Sequence, residues 1–240
     1  EIFPVLNAMF ERIYGESPYK SPTDMGVNMA GFCIVDDAAC RRASEQEIIR
    51  RYYQSLCSLR QGLSEQEEVF KLELLMNQIG LKPESRAVVP AALARAEETG
   101  APAVAMELPN GKLVTGKTSP LLGASSACLL NALKCLGGIP EDVLLISPNI
   151  IEPIQHLKVE HMGNHNPRLH TDEVLIALSI CAVTDPNAER AMEQLAALAG
   201  GEVHSTVILS RVDENVFQHL RMNLTCEPKY QTKKLYHGKK

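Results

Sequence analysis

The spacing of apolar residues changes once along the chain, near Gly100. Before that glycine, apolar residues recur every three or four positions, which is typical of amphipathic helices. Serine followed by glutamate three positions later, at Ser44 and again at Ser64, predicts two capped helix starts. The pattern predicts helices and no strand, with the helices over residues 2–14, 44–59, 64–79 and 90–98.

After that point, short apolar runs alternate with helical stretches. Residues 103–108 and 112–116 predict two strands, joined through Asn110 and Gly111. Asn-Gly between strand-like runs is a strong hairpin signal, because both central residues of the favoured turn need positive φ. The sequence therefore predicts a β-hairpin at the start of this part of the chain.

The rest of the chain continues the alternation. Predicted elements are a helix over 127–136, a strand over 143–147, an almost wholly apolar and therefore buried helix over 174–183, a helix over 186–199, a strand over 203–209 and a helix over 210–220. Strands that alternate with helices are typical of layered α/β domains. The predicted fold class is α/β, with a helical subdomain (residues 1–100), a three-layer α/β domain with a mixed sheet (101–228) and a basic tail (229–240).

Composition limits the classes of protein to which the chain can belong. It has 240 residues, a net charge of −5 and 45% hydrophobic residues, which fits an ordinary globular protein. The acidic balance argues against a nucleic-acid partner, and no apolar run approaches the length of a membrane span. Seven cysteines without paired spacing favour a reduced, cytoplasmic setting. Residues 1–6 resemble the interior of a protein, so we expect the chain to be part of a longer one.

Small and hydroxylated residues stand where the helix after the hairpin begins. Gly123, Ser125 and Ser126 lie at this start, so the free N–H groups and the helix dipole can hold an anion. Lys117 would supply a positive charge and the two serines hydroxyl donors. The alternative is a loop and cap that are small only because the helix packs closely against the sheet.

The histidines concentrate between His156 and His170, but their spacing matches no standard metal-ligand motif, so we expect no metal site. Arg168 and His170 precede the predicted apolar helix, where they either orient the loop or approach an anionic ligand. Asp24 and Asn28 could face a substrate, although turns and caps also use both residue types. No complete catalytic motif occurs, so the catalytic residues stay unknown.

Three strings of the sequence, at residues 21–28, 166–173 and 223–228, resemble a bacterial family, uncharacterised protein family 0371, also called domain of unknown function 1846. The resemblance covers essentially the whole chain. It implies that the chain is the rear half of a protein about twice as long. It also implies a nucleotide cofactor or substrate, because the front half of family members carries a glycine-rich, P-loop-like segment. The family has no established activity.

Residues 101–152 also resemble the core of the cytidine-deaminase-like fold. Zinc deaminases place a metal-ligating histidine or cysteine and a glutamate at the helix start, and Pro-Cys-x-x-Cys after the next strand. The resemblance puts Gly123 and Ser125 at the first position, and Asn149 and Glu152 at the second. These residues cannot provide a tetrahedral zinc site, so no deaminase activity is expected. Relatives of this fold without zinc bind phosphorylated substrates in the same crevice.

Together these observations predict a cytoplasmic enzyme half that binds a phosphorylated small molecule or a nucleotide, with group transfer or ligation as the favoured reaction type. The alternative is a non-catalytic module that binds a ligand or forms oligomers; a homo-oligomer is expected in either case. The candidate ligand-binding residues are Lys117, Thr118, Ser119, Gly123, Ser125, Ser126, Asn149, Glu152, Arg168 and His170.

Overall fold

The computed structural model describes residues 2–17 and 36–231. The expectations for Asp24 and Asn28, and for the basic tail beyond residue 231, lie outside these ranges. Residues 1–48 and residues 49–240 form separate compact units. Within the described ranges, the helices that precede the sheet are α1 (Ile2–Tyr14), α2 (Asp37–Gln61), α3 (Gln66–Ile79) and α4 (Val88–Thr99).

The first helices are largely those predicted, but neither of the two predicted serine caps is confirmed. The helix predicted to begin at Ser44 already begins at Asp37. The reason is that Asp36 caps it, with a carboxylate oxygen 2.8 Å from the backbone nitrogen of Ala39. Ser64 also caps no helix, since its hydroxyl donates to the carbonyl of Ser55 at 3.5 Å. The end of α4 is as predicted: Gly100 follows it with a φ of 63°, the left-handed conformation common after helices.

The sheet has four strands in the order β2–β1–β3–β4. They are β1 (Ala103–Glu107), β2 (Leu113–Lys117), β3 (Glu202–Ser205) and β4 (Asn223–Cys226). Strand β1 runs antiparallel to both neighbours, and β3 and β4 are parallel, so the sheet is mixed as predicted. Strand β3 is shorter than predicted, and β4 was not predicted.

The predicted hairpin is confirmed, but its turn differs. Leu108 and Lys112 pair through their backbones, which leaves a three-residue loop. Only Gly111 in this loop has positive φ, at 77°, whereas Asn110 does not. A three-residue loop with a left-handed glycine in its last position needs no second positive φ. The prediction of a turn with two positive φ values is therefore wrong.

Helices cover both faces of the sheet. The second half of the chain contains α5 (Ala124–Leu136), α6 (Pro148–His156), α7 (Thr171–Cys181), α8 (Pro186–Glu193) and α9 (Arg211–His219). Side chains of β1 alternate, so Val104 and Met106 join the core formed with α5, while Ala105 packs with α4. Helix α5 passes so close to β2 that a Cβ on Gly116 would lie 2.1 Å from the backbone nitrogen of Cys128. The small residue at this position is what allows the close approach.

The predicted strand over residues 143–147 is wrong. This segment is irregular, although Leu145 and Ile146 are buried in the core. The position beside β1 is taken instead by β3. A short buried apolar run is compatible with either a strand or a packed connection, and here it leads into α6 through Ser147. The cytidine-deaminase-like fold is not confirmed.

Two further segments differ from prediction. No regular element was predicted for residues 148–161, but they form α6 followed by a π-helical turn, Leu157–His161. Helix α7 is buried on one side only, through Val174, Ala177 and Leu178, while Ile176 and Ile180 are more than 60% exposed. A wholly apolar sequence therefore does not imply a wholly buried helix here. No helix in the described ranges is long and apolar enough to cross a membrane.

Candidate functional site

A cavity of about 70 Å³ lies where three helices begin. The residue before each helix lines it: Gly123 before α5, His170 before α7 and Ser210 before α9. A helix N-terminus carries a partial positive charge and unpaired N–H groups. The remaining wall residues are Thr118, Ala124, Ser125, Asn166, Arg168, Leu169, Val207, Ile208, Leu209, Asp213 and Gln231.

The first turn of α5 has no side-chain cap among the described residues. The N–H of Gly123 donates to the carbonyl of Leu169 at 3.2 Å, and the hydroxyl of Ser126 donates to the same carbonyl at 2.9 Å. These two bonds fix the start of α5 to the segment that precedes α7. Ser125, by contrast, lies on the cavity wall and is 3% exposed. The first turn of α5 can therefore offer backbone N–H groups and one hydroxyl to a ligand.

Arg168 is positioned by its backbone and by its side chain. Its Nε donates to the carbonyl of Ser119 at 2.8 Å. Its own carbonyl accepts from Nζ of the buried Lys158 at 2.8 Å. Lys158 comes from the π-helical turn and also binds a carboxylate oxygen of Glu173 at 2.6 Å. That same oxygen accepts the backbone N–H of His170 at 2.8 Å, so one network orients both Arg168 and His170.

Asp213 is the centre of the second network. One carboxylate oxygen lies 3.0 Å from Nδ1 of His170 and accepts the hydroxyl of Ser210 at 2.8 Å. The other accepts both the backbone N–H and the hydroxyl of Thr171 at 3.0 Å. The side chain thus closes the start of α7 from its position in the first turn of α9. Its four hydrogen bonds leave His170 as the titratable group of this network that a ligand can reach.

These contacts shift the pKa values of His170 and Asp213 in the directions expected for an ion pair. The hydrogen bond to Asp213 raises the pKa of His170, against the opposing effect of burial. Burial would raise the pKa of Asp213, but the hydrogen bonds from His170, Thr171 and Ser210 outweigh it and lower that pKa. Protonation of His170 is therefore more favourable beside ionised Asp213 than it would be in water.

The structure brings together half of the candidate residues predicted from sequence. Thr118, Gly123, Ser125, Arg168 and His170 all line the cavity. The other five do not line it. Lys117, Asn149 and Glu152 are exposed, the last two on α6, while Ser126 binds Leu169 and Ser119 accepts the N–H groups of Leu121 and Leu122.

Sequence reasoning missed Asp213, Ser210 and Asn166. Ser210 and Asp213 carry a local signal, because serine followed three positions later by aspartate is typical of a helix start. That signal predicts a cap and contains no reference to a histidine 43 residues away. In the described residues, no three His, Cys, Asp or Glu side chains converge as metal ligands. The rings of His156 and His161 pack edge to face at 5.7 Å.

Comparison with known proteins places the chain in a family. Residues 84–236 match the family described as "Domain of unknown function DUF1846, C-terminal", and residues 1–80 match "Domain of unknown function DUF1846, N-terminal". The match to the N-terminal domain means that the chain contains more than the C-terminal domain of the family, which the expectation of a rear half did not include.

Curated relatives agree with this assignment over nearly all of the chain. A UPF0371 protein from Streptococcus thermophilus is 56% identical over 236 residues, which are 98% of this chain and 48% of the relative. A UPF0371 protein from Streptococcus pneumoniae is 54% identical over the same shares. The chain thus spans about half the length of the curated relatives it matches. It belongs to the DUF1846 family of bacterial UPF0371 proteins.

Proposed function

We propose that the cavity at the start of α5 binds an anionic group, namely the phosphoryl group of a small metabolite or nucleotide. The observation that carries this proposal is the uncapped first turn of α5, which opens into a cavity also lined by Arg168 and His170. Backbone N–H groups at a helix start and a nearby guanidinium are the usual protein partners of phosphate.

The size of the cavity limits what it can hold. Its volume of about 70 Å³ is several times the roughly 10–15 Å³ that a single buried water molecule needs. Pockets that enclose a whole drug-sized ligand measure about 300–1,000 Å³. A phosphoryl group fits this space, whereas the rest of a nucleotide or metabolite would have to extend beyond it.

The wider role that we propose is a cytoplasmic enzyme in which the nucleotide-binding segment implied by the family resemblance completes the site, with group transfer or ligation as the reaction type. The six described cysteines are free thiols, which supports a reduced setting. A deaminase reaction is not part of the proposal, because Gly123, Ala124 and Ser125 offer no zinc-ligating side chain.

The test is phosphate binding to the full-length protein by isothermal titration calorimetry, with Ser125→Asp as the main variant. A carboxylate on the cavity wall should weaken binding at least about tenfold, since like charges repel strongly where water is partly excluded. Ser179→Asp is the matched control, because Ser179 is an exposed serine on α7. It should leave the affinity within about twofold of the wild type.

Arg168→Gln provides a second variant in case Ser125→Asp folds poorly. It removes one cation from the wall and should also weaken binding by about tenfold. If phosphate and mononucleotides bind the wild-type protein no better than the variants, or do not bind at all, the proposed function is wrong.

A second candidate role, assembly of a homo-oligomer, is favoured by the surface of α7. Ile176, Ile180 and Val183 recur on one side of this helix and its end, and they are 62%, 65% and 82% exposed. Apolar side chains clustered in this way are typical of protein contacts. Ile180→Lys should then lower the mass of the particle measured by light scattering, while Leu113→Lys, at an exposed position of β2, should not.

A further inference from the structure

His170 can change its charge at the cavity, whereas the guanidinium of Arg168 cannot. The carboxylate of Asp213 only accepts hydrogen bonds, so Nδ1 of His170 must keep its proton in the 3.0 Å contact between them. Nε2 is then the nitrogen that gains or loses a proton. Because His170 lines the cavity and its Nδ1 is turned to Asp213, Nε2 is the nitrogen available to a ligand.

The charged groups around His170 favour a change of protonation when an anion arrives. Asp213 on α9 and Glu173 on α7 favour the imidazolium, and Lys158 of the π-helical turn opposes it. Arg168, two residues earlier, adds a further positive charge to the wall. An anion in the cavity would offset the positive charges of Lys158 and Arg168, so it stabilises the proton on Nε2 of His170.

Resting on the proposed function, we infer that the cavity binds a dianionic tetrahedral group together with a proton, which moves from solvent to Nε2 of His170. Anion affinity then falls as pH rises. The His170–Asp213 pair acts as a proton-dependent part of the binding site, and Asp213 is a positioning residue that holds the ring. A phosphoryl group bound in this way would be accompanied by a proton donor, the imidazolium.

Sulfate is the probe for this inference, because it stays dianionic where phosphate itself titrates. Isothermal titration of full-length protein with sulfate from about pH 5 to about pH 8 spans the range in which histidine changes charge. Above the pKa of His170, the dissociation constant should rise about tenfold per pH unit. Repeating the titration in buffers of different ionisation enthalpy should show uptake of up to one proton for each sulfate bound.

Two variants separate the role of His170 from that of total charge. His170→Gln should bind sulfate more weakly at low pH and lose the pH dependence and the proton uptake. Arg168→Gln should bind sulfate more weakly at every pH but keep both. Asp213→Asn should shift the midpoint of the pH dependence to lower pH. If this last variant fails to fold, the comparison of His170→Gln with Arg168→Gln still decides the matter.

The outcomes distinguish this inference from the proposed function. Sulfate binding that is independent of pH in the wild type, or a pH dependence that survives in His170→Gln, overturns the coupled protonation but leaves anion binding in place. Absence of sulfate and phosphate binding at every pH overturns both.

Discussion

Two histidines of this chain lie beside carboxylates, and they respond in opposite ways. His170 borders the cavity, has a side chain that is 29% exposed and lies 3.0 Å from Asp213. His204, on β3, is completely buried, and its Nε2 lies 3.4 Å from Glu227. The hydrogen bond to Asp213 raises the pKa of His170, whereas burial lowers the pKa of His204.

The difference shows that a neighbouring carboxylate does not by itself decide the charge of a histidine. At His170, the contact with Asp213 is short and outweighs the cost of desolvation. At His204, the contact with Glu227 is longer and leaves Nε2 without a hydrogen bond, while the ring of Tyr53 lies 4.8 Å away and helps to exclude water. The first pair can therefore take part in pH-dependent binding, and the second is a neutral part of the interior.

Substitution of Arg86 should have the largest effect on stability, because this side chain links β3 and β4 next to the buried His204. It is 1% exposed, forms an ion pair with Glu202 and donates to the carbonyls of Val203 and Asn223. Arg86→Ala leaves these acceptors without that donor and should lower the free energy of unfolding by about 3–5 kcal/mol. Urea denaturation measures this loss.

The control for Arg86 is Arg95→Ala. Arg95 also forms an ion pair, with Glu98 at 2.6 Å, but on the surface of α4. Exposed pairs contribute at most about 1 kcal/mol. Equal losses of stability in Arg86→Ala and Arg95→Ala would contradict the view that the buried contacts of Arg86 stabilise the sheet.

Asp213→Asn should have the next largest effect. The substitution keeps the shape of the side chain but replaces one acceptor oxygen by an NH2 group, which cannot accept the bonds donated there, and leaves only neutral bonds at the other oxygen. Hydrogen bonds to charged groups contribute about 1.5–3 kcal/mol, so a loss of that order is expected near neutral pH.

The pH dependence checks the origin of this loss. Because the pKa of Asp213 is lowered in the folded protein, its contribution is present above its ordinary value of 3.8 and is lost as pH falls through the lowered value. Wild type and variant should therefore converge in acid when denaturation is repeated there. A constant difference down to low pH would show that the carboxylate charge is not the cause.

The sequence could predict the parts of this fold that depend on neighbouring residues. Helix α1, the hairpin, and the start of α9 after Ser210 all follow from local spacing and capping. The segment over residues 143–147 and strand β4 could not be predicted in this way. The sequence of a buried apolar run does not reveal whether another strand lies beside it. Strand β4 forms because it pairs with β3, and its own pattern of apolar and polar residues does not predict it.

The residues of the candidate site likewise divide into those with a local sequence signal and those that only the fold brings together. Ser125 and Gly123 were found because a small-residue helix start is visible in the sequence. Asp213 was missed because its partner His170 lies 43 residues away, and only the packing of α9 against α7 brings them together. The exposure of Lys117, Asn149 and Glu152 likewise depends on which side of their elements faces the cavity.

The substitution His204→Gln tests the buried His204–Glu227 pair through the change of stability with pH. Because the pKa of His204 is lowered below its ordinary value of 6.5, the unfolded chain binds this proton more readily. Its contribution is therefore present above about pH 6.5 and is lost as pH falls towards the lowered value, by at most about 1.4 kcal/mol for each pH unit. The variant should lack this slope in urea denaturation series, whatever its stability at neutral pH.

His170→Gln should show a smaller slope of opposite sign, because the side chain is partly exposed and solvent screens its pair with Asp213. The pKa of His170 is raised, so its contribution is present below its ordinary value of 6.5 and is lost as pH rises through the raised value. As pH rises above about 6.5, wild type should therefore lose stability relative to this variant, whereas the effect of His204 lies below about pH 6.5 and has the other direction. Saturating sulfate should move the loss to higher pH, because a bound anion keeps the proton on His170. A slope of the same sign for both histidines would show that burial determines the pKa at both sites. The distinction between the His170–Asp213 pair at the cavity and the buried His204–Glu227 pair would then have no physical basis.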